Sequence, residues 1–146
     1  MHNKSTVPVS ARRLLAYLPF FETVTPEEFC KWEGKEDLEA SDASTSTNKK
    51  VLTAFYPIYA KEVDKFYELF YELGLERKDY YELLSKNNIS TEGIQLGQIK
   101  TANYEAMLAL LTAHLRHERF CDGHWEDAQK GKVFESILLR LQELLD

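Results

Sequence analysis

Apolar positions recur along most of this chain with the 3.6-residue period of helices that bury one face. The plainest stretch is the last. Phe134, Ile137, Leu138, Leu141 and Leu145 keep i, i+3, i+4, i+7, i+11 spacing and predict a terminal helix. Between Ala60 and Leu73, Val63, Phe66, Tyr67, Phe70 and Leu73 form one stripe, with Lys61, Glu62, Lys65, Glu68 and Glu72 outside it. Gly74 is the expected left-handed stop. Tyr104, Met107, Leu108, Leu111 and Leu115 predict a long helix started by Thr101 or Asn103, with a break near Asp122-Gly123. A short helical turn near Trp125–Lys130 follows, separated from the last helix by Gly131. Upstream, Ser10 can cap a first helix that turns Leu14, Leu15 and Leu18 inward and is stopped by Pro19. Thr25-Pro26-Glu27-Glu28 has the form of a capping box with proline in the first helical position. It predicts a short helix with Phe29 and Trp32 as its buried pair, ending near Gly34. Asp79 can cap another carrying Tyr80, Leu83 and Leu84, and Asn87 to Gly97 reads as irregular.

Two stretches break the helical period. Val51–Tyr59 is rich in β-branched and aromatic residues and reads as extended, with Pro57 restricting it to an edge or a connection. From Lys35 to Asn48 apolar residues vanish, and the Ser/Thr/Asp-rich run reads as a mobile surface loop at about 35–48. Residues 1–9 read as a flexible arm, and 10–146 as a single helical domain. The fold class is all-α: one compact domain of about five to seven helices, with room for one short extended pair.

Composition narrows the function classes. The chain has 146 residues, with 18 Lys and Arg against 24 Asp and Glu, a formal net charge of -6. That sign argues against a non-specific nucleic-acid binder. Two cysteines, Cys30 and Cys121, are too few for a disulfide framework and fit a reducing, cytoplasmic location. Arg12-Arg13 followed by Leu14–Phe21 mimics a signal peptide, but the apolar run is short, contains Pro19 and lacks a small-residue cleavage pattern. No apolar run reaches the ~20 residues of a membrane helix.

The chemistry gathers in one place, Thr112 to Trp125, which holds three of the four histidines, one of the two cysteines and one of the two tryptophans. Thr112-Ala113-His114, Arg116, Glu118-Arg119-Phe120-Cys121-Asp122-Gly123-His124 and, in the final helix, Arg140 resemble the C-terminal signature of a bacterial family of small helical proteins of unknown function. Weaker similarity covers Leu14–Phe21 and Tyr56–Tyr59 with the helix after it. The resemblance implies a shared helical fold and assigns no reaction, so no catalytic role is carried over.

Three functional readings of the cluster compete with an architectural one. His114, His117, Cys121 and His124 can all ligate metals, and their 3-4-3 spacing aligns them on one stripe of a continuous helix. Such a stripe spans about 15 Å, so one ion meets only a neighbouring pair unless a kink at Gly123 folds His124 back. Arg116 and Arg119 can grip a phosphate or carboxylate, beside backbone N–H groups of a helix starting after Asp122. Cys121 beside His124 can be drawn as a nucleophile with its base. Against these stands an ion-pair network: Arg119 to Asp122, His114 to Glu118, and Arg140 to either acid. The balance favours architecture, with Arg119→Ala or Asp122→Ala costing roughly 1–3 kcal/mol where the partners are buried. The expected function is therefore a non-catalytic binding or protein-interaction module. Its partner would be a protein or a small anionic ligand, with neither nucleic acid nor membrane. The candidate interaction cluster is His114, Arg116, Glu118, Arg119, Cys121, Asp122, His124, Trp125 and Arg140. An enzyme or phosphate handler using Arg116, Arg119, Cys121 and His124 is the alternative. No catalytic residue, metal or cofactor is assigned. Of the aromatics Tyr56, Tyr59, Tyr67, Tyr71, Tyr80, Tyr81 and Trp125, most belong at core margins, with Tyr71 and Tyr81 the expected exposed pair.

Overall fold

A helix buried on all sides has to sit at the centre of its domain, and α6 (Tyr104–Phe120) is that helix: every residue from Ala106 to Leu115 is buried. Asn103 caps it, its side chain accepting the Ala106 N–H at 2.8 Å. The computed structural model describes residues 9–36, 52–90 and 96–145. Within these, a 3-10 helix (Val9–Tyr17) leads into α1 (Leu18–Thr23), α2 (Pro26–Phe29), β1 (Cys30–Glu36), β2 (Leu52–Tyr59) and α3 (Lys61–Glu72). Then come α4 (Tyr80–Lys86), α5 (Leu96–Ile99), α6, α7 (His124–Lys130) and α8 (Val133–Leu145). The domain is mostly helical with one two-stranded antiparallel ribbon. The one-turn helices α2 and α5 take the number of α-helices among the described residues above the expected five to seven.

The remaining helices wrap α6. Helix α4 packs along it from one side, and α7 and α8 from another. Helix α8 also meets α1 and the 3-10 helix, which in turn touches α3. The contact layer is aromatic. Phe21 stacks on Phe134 with centroids 5.1 Å apart and meets Phe66 edge-on at 5.2 Å. Tyr67 stacks on Trp125 at 4.9 Å and 11°. Phe21, Phe66 and Phe134 are fully buried, so this layer ties the first, third and last segments of the chain into one core.

Several sequence expectations change here. Pro19 does not end the first helix. It sits in the first turn of α1, where a missing N–H costs nothing, and the tighter 3-10 segment containing Ser10 precedes it. The capping box at Thr25 forms as expected: the Glu28 N–H donates to Thr25 Oγ1 and the Thr25 N–H to Glu28 Oε1, each at 3.2 Å. The helix it starts is a single turn, however, and Trp32 lies on β1, half exposed, instead of completing a buried pair with Phe29. Pairing with β2 overrides the weak helical signal, in the register Cys30↔Tyr59 through Gly34↔Phe55. Lys35 and Glu36 extend that strand, while 37–51, which holds the rest of the expected loop, lies outside the described residues. So does the arm up to residue 8. The one-turn helix Leu96–Ile99 begins within the last two residues of the stretch read as irregular, Asn87 to Gly97. Gly74 is left-handed, with φ +68°.

Candidate functional site

The corner between α6 and α7 is made by Gly123, which holds φ +92°. A Cβ there would lie 2.8 Å from Cζ2 of Trp32, so glycine is required twice, by the backbone turn and by the indole resting on it. Trp32 is fixed in this place by its Nε1–H, which donates to Glu126 Oε1 at 3.0 Å. The ribbon thereby docks its inner face on the corner.

Glu118, one turn before the corner, is its hub. Its Oε1 accepts the Tyr59 hydroxyl at 2.9 Å and the Trp125 N–H at 2.7 Å. Its Oε2 accepts the Gly123 N–H at 3.1 Å. One carboxylate thus satisfies backbone donors at the start of α7 and ties the end of β2 to α6. Burial and the bond to Glu118 push the Tyr59 phenol far above its ordinary range, keeping it a donor. Trp125 closes the arrangement: its Nε1–H donates to the His114 carbonyl at 2.9 Å while its ring lies between Tyr59 and Tyr67. Tyr67, fully buried, donates its hydroxyl to the Leu111 carbonyl at 3.0 Å.

The kink folds His124 back. His114 Nδ1 and His124 Nε2 are 2.7 Å apart, and His117 meets the His124 ring edge-on with centroids at 4.9 Å. Burial first, then the neighbouring His124 and His117, hold the His114 imidazole down at about 3. Burial and His117 lower His124 as well. Two neutral rings sharing one N–H are what such a desolvated pair can support. Among the described residues no group of three His, Cys, Asp or Glu side chains has the arrangement of a metal centre.

The other sequence candidates separate. Arg116 lies over the Tyr80 ring at 5.6 Å and reaches Glu76 at 3.7 Å, its Nε buried without an acceptor among the described residues. Arg119 donates to the Tyr71 hydroxyl. The Tyr71 hydroxyl in turn donates to Glu76 Oε2 at 3.4 Å, so both guanidiniums lead to the one Glu76 carboxylate, Arg116 directly and Arg119 through the phenol. The expected pairs Arg119–Asp122, His114–Glu118 and Arg140 with either acid do not form. Arg140 Nε donates to the Ala102 carbonyl at 2.8 Å, and its Nη1 meets Glu143 at 3.3 Å. The reason is geometric: Glu118 points across the kink to unpaired backbone donors, which i, i+4 reasoning on a straight helix does not see. Asp122 and Cys121 are exposed, and Cys121 is the C-terminal cap of α6, not the start of a helix. Phe120, between them and Arg119, is 88% exposed. Tyr71 and Tyr81 are exposed as expected, but so is Tyr56, which lies on the outer face of the ribbon instead of at a core margin.

Sequence reasoning missed Tyr59, Trp32 and Glu126 as parts of the corner. The alternation of β2 gave a signal for Tyr59, but its partner lies 59 positions away. Two hollows lie away from the α6–α7 corner, and of the candidate cluster only Arg140 lines one of them. One of about 280 Å³ is floored by Phe21, Val24, Pro26 and Phe29 beneath α7, and one of about 450 Å³ lies along α8 between Lys100 and Arg140. Neither is lined by His114, Arg116, Arg119, Cys121 or His124.

A central buried helix, a kinked polar corner and a docked two-stranded ribbon define a small α-helical domain in which His114, Glu118, His124 and Trp125 are bonded into the corner. The chain belongs to the family of unknown function DUF6508, which covers residues 7–146. No curated protein and no solved structure matches it.

Proposed function

We propose that the protein is a non-catalytic binding or interaction module whose polar corner is architecture. The observation that carries this reading is Glu118: its carboxylate is already occupied by the Tyr59 hydroxyl and two backbone N–H groups, and so is not offered to a substrate. Of the N–H groups that would greet an anion at the start of α7, those of Gly123 and Trp125 are taken by Glu118 and that of His124 by the Cys121 carbonyl. His124, the candidate base, is turned toward His114 and His117. Among the charged residues of its surface the molecule presents large apolar side chains: Phe55, Tyr56 and Ile58 on the ribbon, and Phe120 beside Arg119. Aromatic and arginine side chains of this kind suit protein contacts. A bacterial, cytoplasmic setting goes with this reading, supported by the resemblance and by two free thiols, one of them exposed. No described helix is long and apolar enough to cross a membrane. Thermal melts with inorganic phosphate and with ATP test the proposal. Unchanged melting temperatures are expected. A rise with either ligand that is lost in Arg116→Ala or Arg119→Ala would restore the anion-handling alternative.

A further inference from the structure

The ribbon has two outer edges, and they are not alike. The Ala60 N–H donates to the Phe29 carbonyl at 3.0 Å, which makes Phe29–Ala60 a hydrogen-bonded pair of the ladder. Pairs alternate from there, so Cys30↔Tyr59, Trp32↔Pro57 and Gly34↔Phe55 are the non-bonded ones. In those pairs the backbone groups point away from the neighbouring strand. On the β2 side the middle residue is Pro57, which has no N–H to offer, so that edge is closed to further pairing. On the β1 side Trp32 and Gly34 carry full sets of donors and acceptors, and among the described residues neither makes a backbone hydrogen bond to another element; Cys30 offers only its carbonyl, because its N–H donates to the Pro26 carbonyl of α2.

The residues flanking Trp32 are Lys31 and Glu33, both exposed on the outer face. An antiparallel pairing of β1 with the same strand of a second copy, centred on Trp32, sets each Lys31 opposite the other copy's Glu33. It sets each Cys30 opposite a Gly34, where the absent side chain eases approach. Trp32 of the two copies would exchange both backbone hydrogen bonds at the two-fold axis. The charge pattern is self-complementary in this register; a two-residue shift to a pairing centred on Gly34 would set Glu33 opposite Lys35 instead, so the Lys31→Glu variant distinguishes the two. A shift of one residue along either strand breaks both ion pairs and turns the side chains to opposite faces.

We propose that the protein forms a two-fold dimer through the β1 edge, giving a four-stranded sheet in the order β2-β1-β1-β2. The occupant of the open edge is a second copy of this chain. The inference goes beyond the functional reading above and does not depend on it, since it stands on the ribbon edge and not on the corner. The test is sedimentation equilibrium at concentrations up to about 100 µM, since edges of this size make modest interfaces. Four proteins are compared: the native chain, Lys31→Glu, Glu33→Lys and the double exchange. Far-UV circular dichroism verifies that each is folded. The expected result is a mass twice 17.0 kDa for the native chain and the double exchange. Each single exchange places like charges opposite one another and should be monomeric, yet the two single variants mixed together should pair. A monomeric native protein at the highest concentration overturns the proposal. So does a dimer that both single exchanges leave intact, because it would use another surface.

Discussion

Removing the Glu118 carboxylate should unlock the corner. In Glu118→Ala the N–H groups of Gly123 and Trp125 and the Tyr59 hydroxyl, held at 3.1, 2.7 and 2.9 Å, lose their shared acceptor. A hydrogen bond to a charged group contributes about 1.5–3 kcal/mol, and a partly buried donor left unmade costs up to ~3 kcal/mol. Water reaches part of this site, and the three bonds are not additive, so the expected loss is about 3–4 kcal/mol. For a chain of this length that corresponds to a fall in Tm of roughly 8–15 °C. Glu118→Gln keeps one carbonyl acceptor but turns an amide donor toward a backbone donor, and should lose about half as much. The assay is reversible unfolding in urea with a parallel thermal scan, and Tyr59→Phe completes a double-mutant cycle. A coupling of about 1 kcal/mol between positions 59 and 118 is expected. If Glu118→Ala shifts Tm by less than ~2 °C, the carboxylate is not the tie described here and the architectural account of the corner fails.

The glycine corner predicts an ordered pair: Gly123→Ala should cost about 2–3 kcal/mol, because a left-handed residue also meets Trp32, whereas Gly74→Ala, with nothing within 4 Å, should cost only about 1 kcal/mol. Equal losses in urea titrations would contradict the close approach of the indole. The His114 imidazole, at about 3 in the fold, returns to roughly 6.5 when the chain unfolds. Below that value the unfolded chain binds a proton that the folded one refuses, so stability is full above about pH 6.5 and falls as pH drops toward 3, by up to ~1.4 kcal/mol per pH unit. His114→Gln should flatten the pH dependence of unfolding free energy between pH 6 and 4 by about one proton, and parallel slopes would refute the buried neutral ring. Cys121 is exposed, while Cys30 is buried with its thiol pushed up to about 11, chiefly by desolvation. A disulfide reagent at neutral pH should therefore label one thiol in the folded protein and the second only after denaturation, at an ordinary rate; labelling of Cys121 much faster than a free thiol would favour the enzyme reading. Arg119→Ala and Asp122→Ala, both on exposed residues, should change Tm by no more than ~2 °C, less than sequence reasoning assigned them.

The features legible in the chain alone are local ones. The stripes at Val63–Phe70 and Phe134–Leu141, the capping box at Thr25, the left-handed Gly74 and the break at Gly123 were all readable, because each is set by residues within a few turns of one another. The cluster at Thr112–Trp125 was equally visible as a concentration of polar groups. Tertiary structure decided which of those groups meet. Trp32 reads as helix until β2 pairs with it. Glu118 looks like a partner for His114 until the turn at Gly123 brings two backbone donors and Tyr59 to it. Arg140 looks like a clamp on the cluster until its guanidinium finds the Ala102 carbonyl, 38 positions away. A hydrophobic period fixes which face of an element turns inward. It carries no record of which distant donor will stand opposite a given acceptor, since that depends on how several packed elements share one space.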